Sequence, residues 1–553
     1  MKRPALRAPV VAVLLSIAAC GDSDGAAASA DGTDGEGSAD DSTGADAMSS
    51  ADDSDESVGE EGESGSTPAD VNARGLRISL VEANPGVAVP IARDGAWVQG
   101  PERNAQLIKN RNTAFRVYLD VDDAIWVARP IRARMTVTQT DGRESTYEET
   151  AEVDGDSSTT SLQSNILLGV IETDIQPGAT FQIELFEAGT GYEGLPEAAT
   201  PPRALDDGPG QIGIESSAQT MRLVMVPVDY SFGGCQASVT LDEAALQPYE
   251  DAMFQQNPLE SIEIEVREPL VVDDLDLTDS NDFFSLLNRA VQLRGSEAPD
   301  PNVYYYVLFD NCGVCIGEGG GCLLGVAPGT PGPTESEASQ RVAIGTRYLS
   351  GSEVGIETFV HEIGHTQGRQ HIACDGATSA GPDPSYPYDG GSIGVWGFGV
   401  RDFQIRNPNV HTDYMSYCNP TWVSDWQWRA TFERVQALSQ WQFDVAPEPT
   451  GTILVGTVNT ESGESNWWTE RGHVEASDTV AAAGDLVLVG AAGDLHSASA
   501  DIDAWSEGPW VTVRANLPDD AVVAGAEAFE LRTAQRVTRV ARDQIRFDRT
   551  ATR

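Results

Sequence analysis

Three of the chain's six histidines stand within eleven residues that also contain an acidic side chain, a grouping that can bind a metal. In this run, His-Glu-Ile-Gly-His-Thr-Gln-Gly-Arg-Gln-His, the first two histidines are His361 and His365. On a helix, a spacing of four places both imidazoles on one face, one turn apart. Gly368 can adopt the positive φ that ends a helix, so the turned chain can deliver His371 as a third ligand. Three neutral imidazoles predict a zinc site with one position left open for water.

The acidic residue, Glu362, directly follows the first of these histidines. It projects about 100° further round a helix, which places it beside the metal and not on it. A carboxylate at that position can accept a proton from water, so the sequence predicts hydrolysis with Glu362 as general base. The alternative is a helix surface on which histidines cluster by chance. The added glycine and third histidine, at the spacing of a helix followed by a turn, argue against it.

The whole pattern resembles the zinc signature of the metzincin metallopeptidases, HExxHxxGxxH. That clan also has a methionine turn beneath the zinc, and the segment Asp-Tyr-Met-Ser-Tyr-Cys around Met415 is similar to it. The resemblance implies that Met415 forms an apolar floor under the ligands. It also implies that Tyr417, placed as in the astacin and serralysin branches, reaches the metal and supports the transition state; plain packing is the alternative. These motifs cover about residues 350 to 430 and indicate no sub-family.

The patterns around this window predict the elements that position it. Short alternating runs between residues 73 and 216 are typical of an antiparallel β-sandwich, and similar runs return in residues 447–553. Between them, in residues 217–446, strands alternate with helices, and the zinc helix is expected to begin near Ser352. We therefore predict a multidomain fold: an α+β zincin-like or metzincin-like catalytic domain flanked by N-terminal and C-terminal all-β, sandwich-like domains. A short apolar run before the zinc helix would be an edge strand that pairs with an extended peptide.

The N-terminus indicates export. Residues 1–20 combine basic residues with an apolar run too short to span a bilayer, which is typical of a signal peptide. The run ends in Ser-Ile-Ala-Ala-Cys, which resembles a bacterial lipoprotein box and implies lipidation of Cys20. In bacterial lipoproteins an aspartate after the lipidated cysteine is the signal for retention in the inner membrane, and this chain has Gly21 there. The resemblance therefore implies the outer membrane or cell surface as the location. An ordinary cleaved signal or an apolar N-terminal helix is the alternative.

Residues 21–72 contain sixteen Asp or Glu and no Lys or Arg, which predicts a disordered acidic tether. Removing those sixteen charges from the formal net charge of −51 still leaves −35. Such a surface repels phosphate backbones, so we expect no nucleic-acid partner. Membrane attachment is expected only through the N-terminal lipid, and the oligomeric state is undetermined.

Seven cysteines leave six once Cys20 carries lipid, and all six lie within residues 217–446. An even count in an oxidising compartment predicts three disulfides, although six cysteines allow fifteen connectivities. Cys374 is three residues past the last ligand and Cys418 is three past the turn methionine, so this pair is favoured. A second metal site is the alternative for the remaining group, at Cys312, Cys315 and Cys322.

The predicted function is that of a zinc-dependent endopeptidase acting on extracellular proteins or glycoproteins. The alternative is a catalytically inactive binding or adhesion lipoprotein with a zincin fold. Inactive relatives usually lose the glutamate or a histidine, and this chain keeps both, which favours the enzyme.

Overall fold

A computed structural model of the chain describes residues 70–317, 322–347, 353–375, 377, 381–441, 451–474 and 484–547. The predictions made for the signal peptide, for Cys20, for nearly all of the tether and for Ser352 lie outside these residues. Residues 68–553 form one compact unit.

Nine antiparallel strands open the described chain. They are β1 (Leu76–Asn84), β2 (Val89–Arg93), β3 (Ala96–Trp97), β4 (Thr113–Val121), β5 (Arg129–Thr138), β6 (Glu144–Val153), β7 (Ile166–Val170), β8 (Thr180–Glu187) and β9 (Gly210–Gln211). They form a five-stranded sheet of order β3-β2-β1-β4-β7 and a four-stranded sheet of order β6-β5-β8-β9. In β5 every second residue is buried, as expected of a strand with one face in a core.

The middle of the chain mixes strands and helices. Its first elements are β10 (Thr220–Phe232), β11 (Cys235–Ser238), α1 (Glu243–Gln256), β12 (Ser261–Val266), β13 (Leu270–Val272), α2 (Ser280–Glu297), β14 (Val303–Phe309), β15 (Gly325–Val326), β16 (Val342–Thr346) and α3 (Val354–Thr366). The later ones are β17 (Gly397–Phe398), β18 (Ile405–Arg406), β19 (Thr412–Asp413), β20 (Thr421–Trp422) and α4 (Asp425–Ser439). Helices α1, α2 and α4 begin at side chains that accept a backbone N–H of the first turn, from Asp242, Asp279 and Ser424.

The central sheet runs β11-β10-β14-β16-β15, with β12 and β13 also pairing with β10. Its β10–β14 and β14–β16 pairs are parallel, whereas the short edge strand β15 is antiparallel to β16. Every residue of β14 is buried, as expected of a parallel strand covered on both faces. Tyr306 belongs to a core shared with the N-terminal sheets, and Val307 to a core shared with the C-terminal strands.

The last part of the described chain is mostly strand. Its elements are β21 (Thr452–Asn459), β22 (Ser465–Arg471), β23 (Gly484–Gly490), β24 (Gly493–Ala504), β25 (Trp510–Asn516), α5 (Asp520–Gly525), β26 (Ala528–Arg532) and β27 (Val537–Ala541). These strands form an antiparallel sheet of order β22-β21-β25-β24-β23-β26-β27. Ile453 and Trp510 pack into the core behind the central sheet.

The predicted fold class is wrong. We expected an α+β zincin-like or metzincin-like catalytic domain between separate N-terminal and C-terminal all-β domains. The described residues instead form a mostly β structure, with 27 strands against five α-helices, in one compact unit. One hydrophobic core extends from Ala73 to Leu438, and a second joins the central sheet to Trp510. Alternation identifies a strand and its buried face, but it does not say which strands share a core. The boundaries at residues 216/217 and 446/447 stay predictions.

Candidate metal centre

Helix α3 carries the first two histidines of the motif. Phe359 and Ile363 bury one face of the helix in the core, and the His361 and His365 rings lie 4.8 Å apart between centroids. The helix ends where predicted. Gly368 has φ of 83°, and its N–H donates to the carbonyl of His365 over 2.8 Å. The turned chain brings the ring of His371 to 4.5 Å from that of His365.

The three imidazoles converge through their Nε2 atoms. His365 Nε2 is 3.1 Å from the Nε2 of both His361 and His371. His361 Nδ1 is 2.9 Å from the carbonyl of Tyr414, and His365 Nδ1 is 2.8 Å from that of Arg369. Because a carbonyl can only accept, both Nδ1 atoms must carry the hydrogen, which leaves two Nε2 lone pairs facing each other.

This arrangement fits a divalent metal. Burial, followed by the influence of His371, lowers the pKa of His361 to about 3, and burial also lowers the pKa of His365 well below its usual value. Neutral imidazoles are the form that binds zinc. A cation between the nitrogens would relieve the opposition of their lone pairs. Within the described ranges, these histidines are the one group of three or more His, Cys, Asp or Glu side chains placed to hold an ion.

Met415 packs against α3 at Gly364, and the floor role that the resemblance implied for it stays a prediction. It is fully buried, and its carbonyl accepts the N–H of Ile372 over 2.9 Å. A Cβ on Gly364 would stand 2.5 Å from the Met415 sulfur, so the helix and the turn can approach this closely only because that residue is glycine. The turn therefore supports both the helix and the segment that carries the third histidine.

Glu362 lies beside the triad in a closed setting. The residue is 4% exposed, and a Cβ on Gly325 of the edge strand would stand 2.5 Å from the Glu362 Cγ. Burial, followed by the charge of Glu507, raises the pKa of Glu362 well above its usual value, while a hydrogen bond from Ser506 acts in the opposite direction. A nearby cation would also lower the pKa of Glu362, because it favours the carboxylate form.

Tyr417 reaches the same point as the histidines. Its hydroxyl is 2.9 Å from His371 Nε2, although 42% of the residue is exposed. The same hydroxyl donates a hydrogen bond to Glu507. Burial and the Glu507 carboxylate raise the pKa of Tyr417, so it remains a hydrogen-bond donor at neutral pH.

Two residues near the triad were missed by the sequence analysis. Ser506 and Glu507 lie between β24 and β25, in a stretch with no metal or catalytic motif. Ser506 Oγ is 3.5 Å from Glu362 Oε2, and Glu507 Oε1 is 3.8 Å from His371 Nε2. They stand 144 residues from Glu362 and 90 from Tyr417 along the chain, respectively. No local pattern could have indicated them.

The described part of the chain contains three disulfides, as predicted from the cysteine count. They join Cys374 to Cys418, which is the favoured pair, Cys235 to Cys312, and Cys315 to Cys322. The alternative of a second metal site at Cys312, Cys315 and Cys322 is therefore wrong, because no free thiol remains there to bind a metal. The Cys374–Cys418 bridge ties the segment after the third histidine to the segment after Met415.

His411 does not join the centre; its Nδ1 is 3.1 Å from the carbonyl of Asn407.

Among the described residues, no helix is both long enough and apolar enough to cross a membrane.

Comparison with known proteins does not identify the chain. No protein-family model matches it, and no curated protein matches it either. Among solved structures, two of β-glucuronidase 2 from Bacteroides uniformis, a calcium-binding mutant and a complex with cyclophellitol-6-carboxylate aziridine, are 10% and 11% identical, both with a TM-score of 0.12. Those alignments cover 42% and 43% of this chain, and the chain spans only 27% and 33% of theirs.

A cycloisomaltooligosaccharide glucanotransferase from Paenibacillus is 8% identical over 84% of this chain and 72% of its own, with a TM-score of 0.16. Scores this low establish neither a shared fold nor a shared activity. The metzincin resemblance stays a prediction that depends on the motifs alone.

Proposed function

We propose that this protein is a zinc-dependent endopeptidase that hydrolyses peptide bonds of extracellular proteins or glycoproteins. The observation that carries the proposal is the convergence of three buried Nε2 atoms beside the carboxyl group of Glu362. It concerns the site and its chemistry, and it does not depend on the fold class. The sequence resemblance to metzincins supports peptide hydrolysis over other metal-assisted reactions.

His361, His365 and His371 would hold the metal, and their donor set suits zinc. A zinc ion, when bound there, supplies a Lewis acid that polarises a carbonyl and makes water more acidic. The protein's own contribution is to keep these imidazoles neutral and correctly turned. The carbonyls of Tyr414 and Arg369 do this for the two helix histidines.

Glu362 would move the proton. A carboxyl group held next to the ligands takes a proton from water as the peptide carbonyl is attacked, and then gives it to the leaving amine. Its burial excludes competing water and raises its pKa well above the usual value, which favours the protonated form that gives its proton to the leaving amine.

Tyr417 would stabilise the charge that develops on the peptide oxygen. Its hydroxyl is a donor placed 2.9 Å from one ligand nitrogen, so it can reach an oxygen bound at the same point. Met415 has no acid–base chemistry and acts as the floor that fixes the ligands. The edge strand β15 lies against Glu362 and offers backbone groups to an extended substrate.

Export as a lipoprotein belongs to the same proposal. Attachment of lipid to Cys20, with an acidic tether up to residue 72, would place the site outside the cell at the outer membrane or cell surface. This part of the proposal depends on the sequence alone.

The deciding experiment compares Glu362→Gln with the parent protein on a peptide library and on casein, with and without a zinc chelator. We expect Glu362→Gln to keep its zinc and to lose about 10²- to 10⁴-fold in turnover, because only the proton transfer is removed. Glu357→Gln is the matched control, since this partly buried glutamate lies on the same helix before the motif. Equal turnover in the parent and Glu362→Gln would remove Glu362 from the reaction. A zinc-loaded parent that cleaves nothing would favour the binding or adhesion alternative.

A further inference from the structure

The tip of the β24–β25 hairpin, residues 505–509, covers the candidate metal centre. Glu507 points its carboxylate at the triad. Its Oε1 accepts a hydrogen bond from Tyr417 and lies 3.8 Å from His371 Nε2. The Glu507 side chain is 30% exposed, so solvent and a substrate can reach it.

The tip also forms hydrogen bonds with the backbone at the end of the edge strand β15. The N–H of Ser506 donates to the carbonyl of Ala327 over 3.0 Å, and the N–H of Ala327 donates to Ser506 Oγ over 2.9 Å. Ala327 directly follows β15, so the backbone groups offered to an extended peptide at this point are already paired. The hairpin therefore lies where we expect a substrate.

Contacts away from the triad hold the tip in place. Trp505 stacks on Trp510 with ring centroids 5.3 Å apart, and its Nε1 donates to Thr512 Oγ1 over 3.0 Å. A Cβ on Gly508 would collide with the ring of Phe284, so the tip is packed against α2. Because these contacts do not involve the histidines, they fix the position of Glu507 independently of the metal centre.

We propose that Glu507 is a fourth, displaceable donor to the metal centre, and that the hairpin tip keeps the folded chain in a self-blocked state. The inference rests on the proposed function, because it assumes that the same triad binds zinc. Carboxylate oxygen is one of the three donor types that zinc accepts, and two ligands of one tetrahedral zinc stand roughly 3.3 Å apart. The 3.8 Å between Glu507 Oε1 and His371 Nε2 is about 0.5 Å longer than that separation, so the carboxylate has to shift toward the histidines to bind the ion. A substrate would displace both the carboxylate and the pairing at Ala327.

The competing interpretation is that Glu507 only accepts a hydrogen bond from Tyr417. Tyr417→Phe removes that hydrogen bond and leaves the carboxylate in place. If Glu507 is a donor in its own right, this variant keeps zinc affinity close to that of the parent. If Tyr417→Phe weakens zinc binding as much as loss of the carboxylate does, Glu507 acts only through Tyr417 and the inference fails.

The test measures zinc affinity of the full-length chain by competition with a chelator, together with the visible spectrum of the cobalt(II)-substituted protein. We expect Glu507→Gln to bind zinc about tenfold or more weakly and to shift the cobalt bands, because one ligand is lost. Glu527→Gln is the matched control: Glu527 is an exposed carboxylate in the same C-terminal sheet region, before β26, and this variant should match the parent in both measurements. Thermal melting of each variant checks that it is folded.

Peptide cleavage is the second readout. If the Glu507 carboxylate blocks the open position of the metal, Glu507→Gln should cleave a short peptide faster than the parent, several-fold or more at equal zinc loading, although the hairpin backbone stays in place. An unchanged zinc affinity and cobalt spectrum in Glu507→Gln would overturn the inference even if the protein is an active peptidase. Weaker zinc binding in Glu507→Gln, with no cleavage by any variant, would instead reject the proposed peptidase and leave the fourth donor supported.

Discussion

In His361 and His365, a backbone carbonyl determines which ring nitrogen carries the hydrogen and which keeps its lone pair. The carbonyl of Tyr414, which is remote in sequence, accepts the Nδ1 hydrogen of His361. The carbonyl of Arg369, which lies just beyond the end of α3, accepts that of His365. The free Nε2 atoms then point at a common centre. Tyr414 directly precedes Met415, so the segment around Met415 also sets the tautomer of His361.

Tyr417 allows a prediction at the same scale. We expect Tyr417→Phe to keep its zinc and to lose about 10²-fold in kcat, because a donor to the developing oxyanion is removed. Steady-state kinetics with metal analysis tests this. Tyr388→Phe is the control, since the Tyr388 hydroxyl donates to Asp425 and not to the triad. A kcat unchanged by Tyr417→Phe would leave this residue with a packing role only.

The chain can bring His371 back to the two histidines of α3 because this helix ends abruptly. Gly368 has φ of 83°, and an added Cβ would collide with the Arg434 guanidinium and stand 3.1 Å from the carbonyl of Pro331. That guanidinium itself donates to the Pro331 carbonyl, so it has little freedom to move.

We expect Gly368→Ala to destabilise the protein by about 1–2 kcal/mol from the left-handed backbone alone, with a further cost from the collision. Zinc affinity should fall as well, because His371 is three residues further on. Gly142→Ala is the matched control, since Gly142 has φ of 85° with nothing within 4 Å of its added Cβ. Thermal melting and chelator competition separate the two effects. Equal losses of stability in the two variants, with normal zinc binding, would contradict the steric account.

The methionine turn depends on a buried carboxyl group. Asp413 is fully buried and accepts the N–H groups of Met415 and Ser424 over 2.9 and 3.1 Å. It thereby joins the turn to the start of α4. Burial raises the pKa of Asp413 from 3.8 to about 6.

This pKa shift predicts a pH dependence of stability. The folded chain binds the Asp413 proton more tightly than the unfolded chain, so the contribution to stability is complete below the unfolded pKa of 3.8 and is lost as the pH rises through about 6. Over that window the free energy of unfolding should fall by up to about 3 kcal/mol in the parent relative to Asp413→Asn, which cannot titrate. Denaturant unfolding with a chelator present measures this. Parallel pH profiles would exclude Asp413 as the titrating group.

Local elements were predictable because their patterns repeat within a few residues. The alternating run at Ile262 lies in β12, and the fully apolar run from Val303 lies in the buried strand β14. The end of the zinc helix at Gly368 followed from the freedom of glycine at positive φ. The edge strand is shorter than the apolar run suggested, since only Gly325 and Val326 pair.

The contact of Glu507 with the site could not be predicted in the same way. It joins a hairpin to the segment that carries His371, more than a hundred residues earlier in the chain, and nothing in the hairpin's own sequence distinguishes this glutamate from the chain's many other acidic residues. The fold class failed for a related reason. The metzincin-like motifs cover about 80 residues, and a site motif does not determine the architecture of the residues around it.

The whole molecule is held together through its central sheet. One face of β14 shares a core with the N-terminal sheets, and the other shares a core with Trp505, Trp510 and the first C-terminal strand. Removing either flanking layer would expose a buried face of the sheet that lies next to α3. We therefore expect the metal centre and the C-terminal strands to lose their structure together.

Trp510→Ala tests this coupling. Trp510 is 1% exposed, and its truncation should cost about 3–5 kcal/mol. If residues 68–553 unfold as one unit, calorimetry of the zinc-loaded variant will show a single transition at lower temperature, with zinc released in the same range. Leu495→Ala is the control, because a residue that is 44% exposed should change stability by no more than about 0.5 kcal/mol.

A separate early transition in Trp510→Ala, with zinc released only at the parent's temperature, would show that the C-terminal strands unfold independently. Because the same strands carry Glu507, such a result would also mean that the hairpin can leave the site without unfolding the rest of the protein.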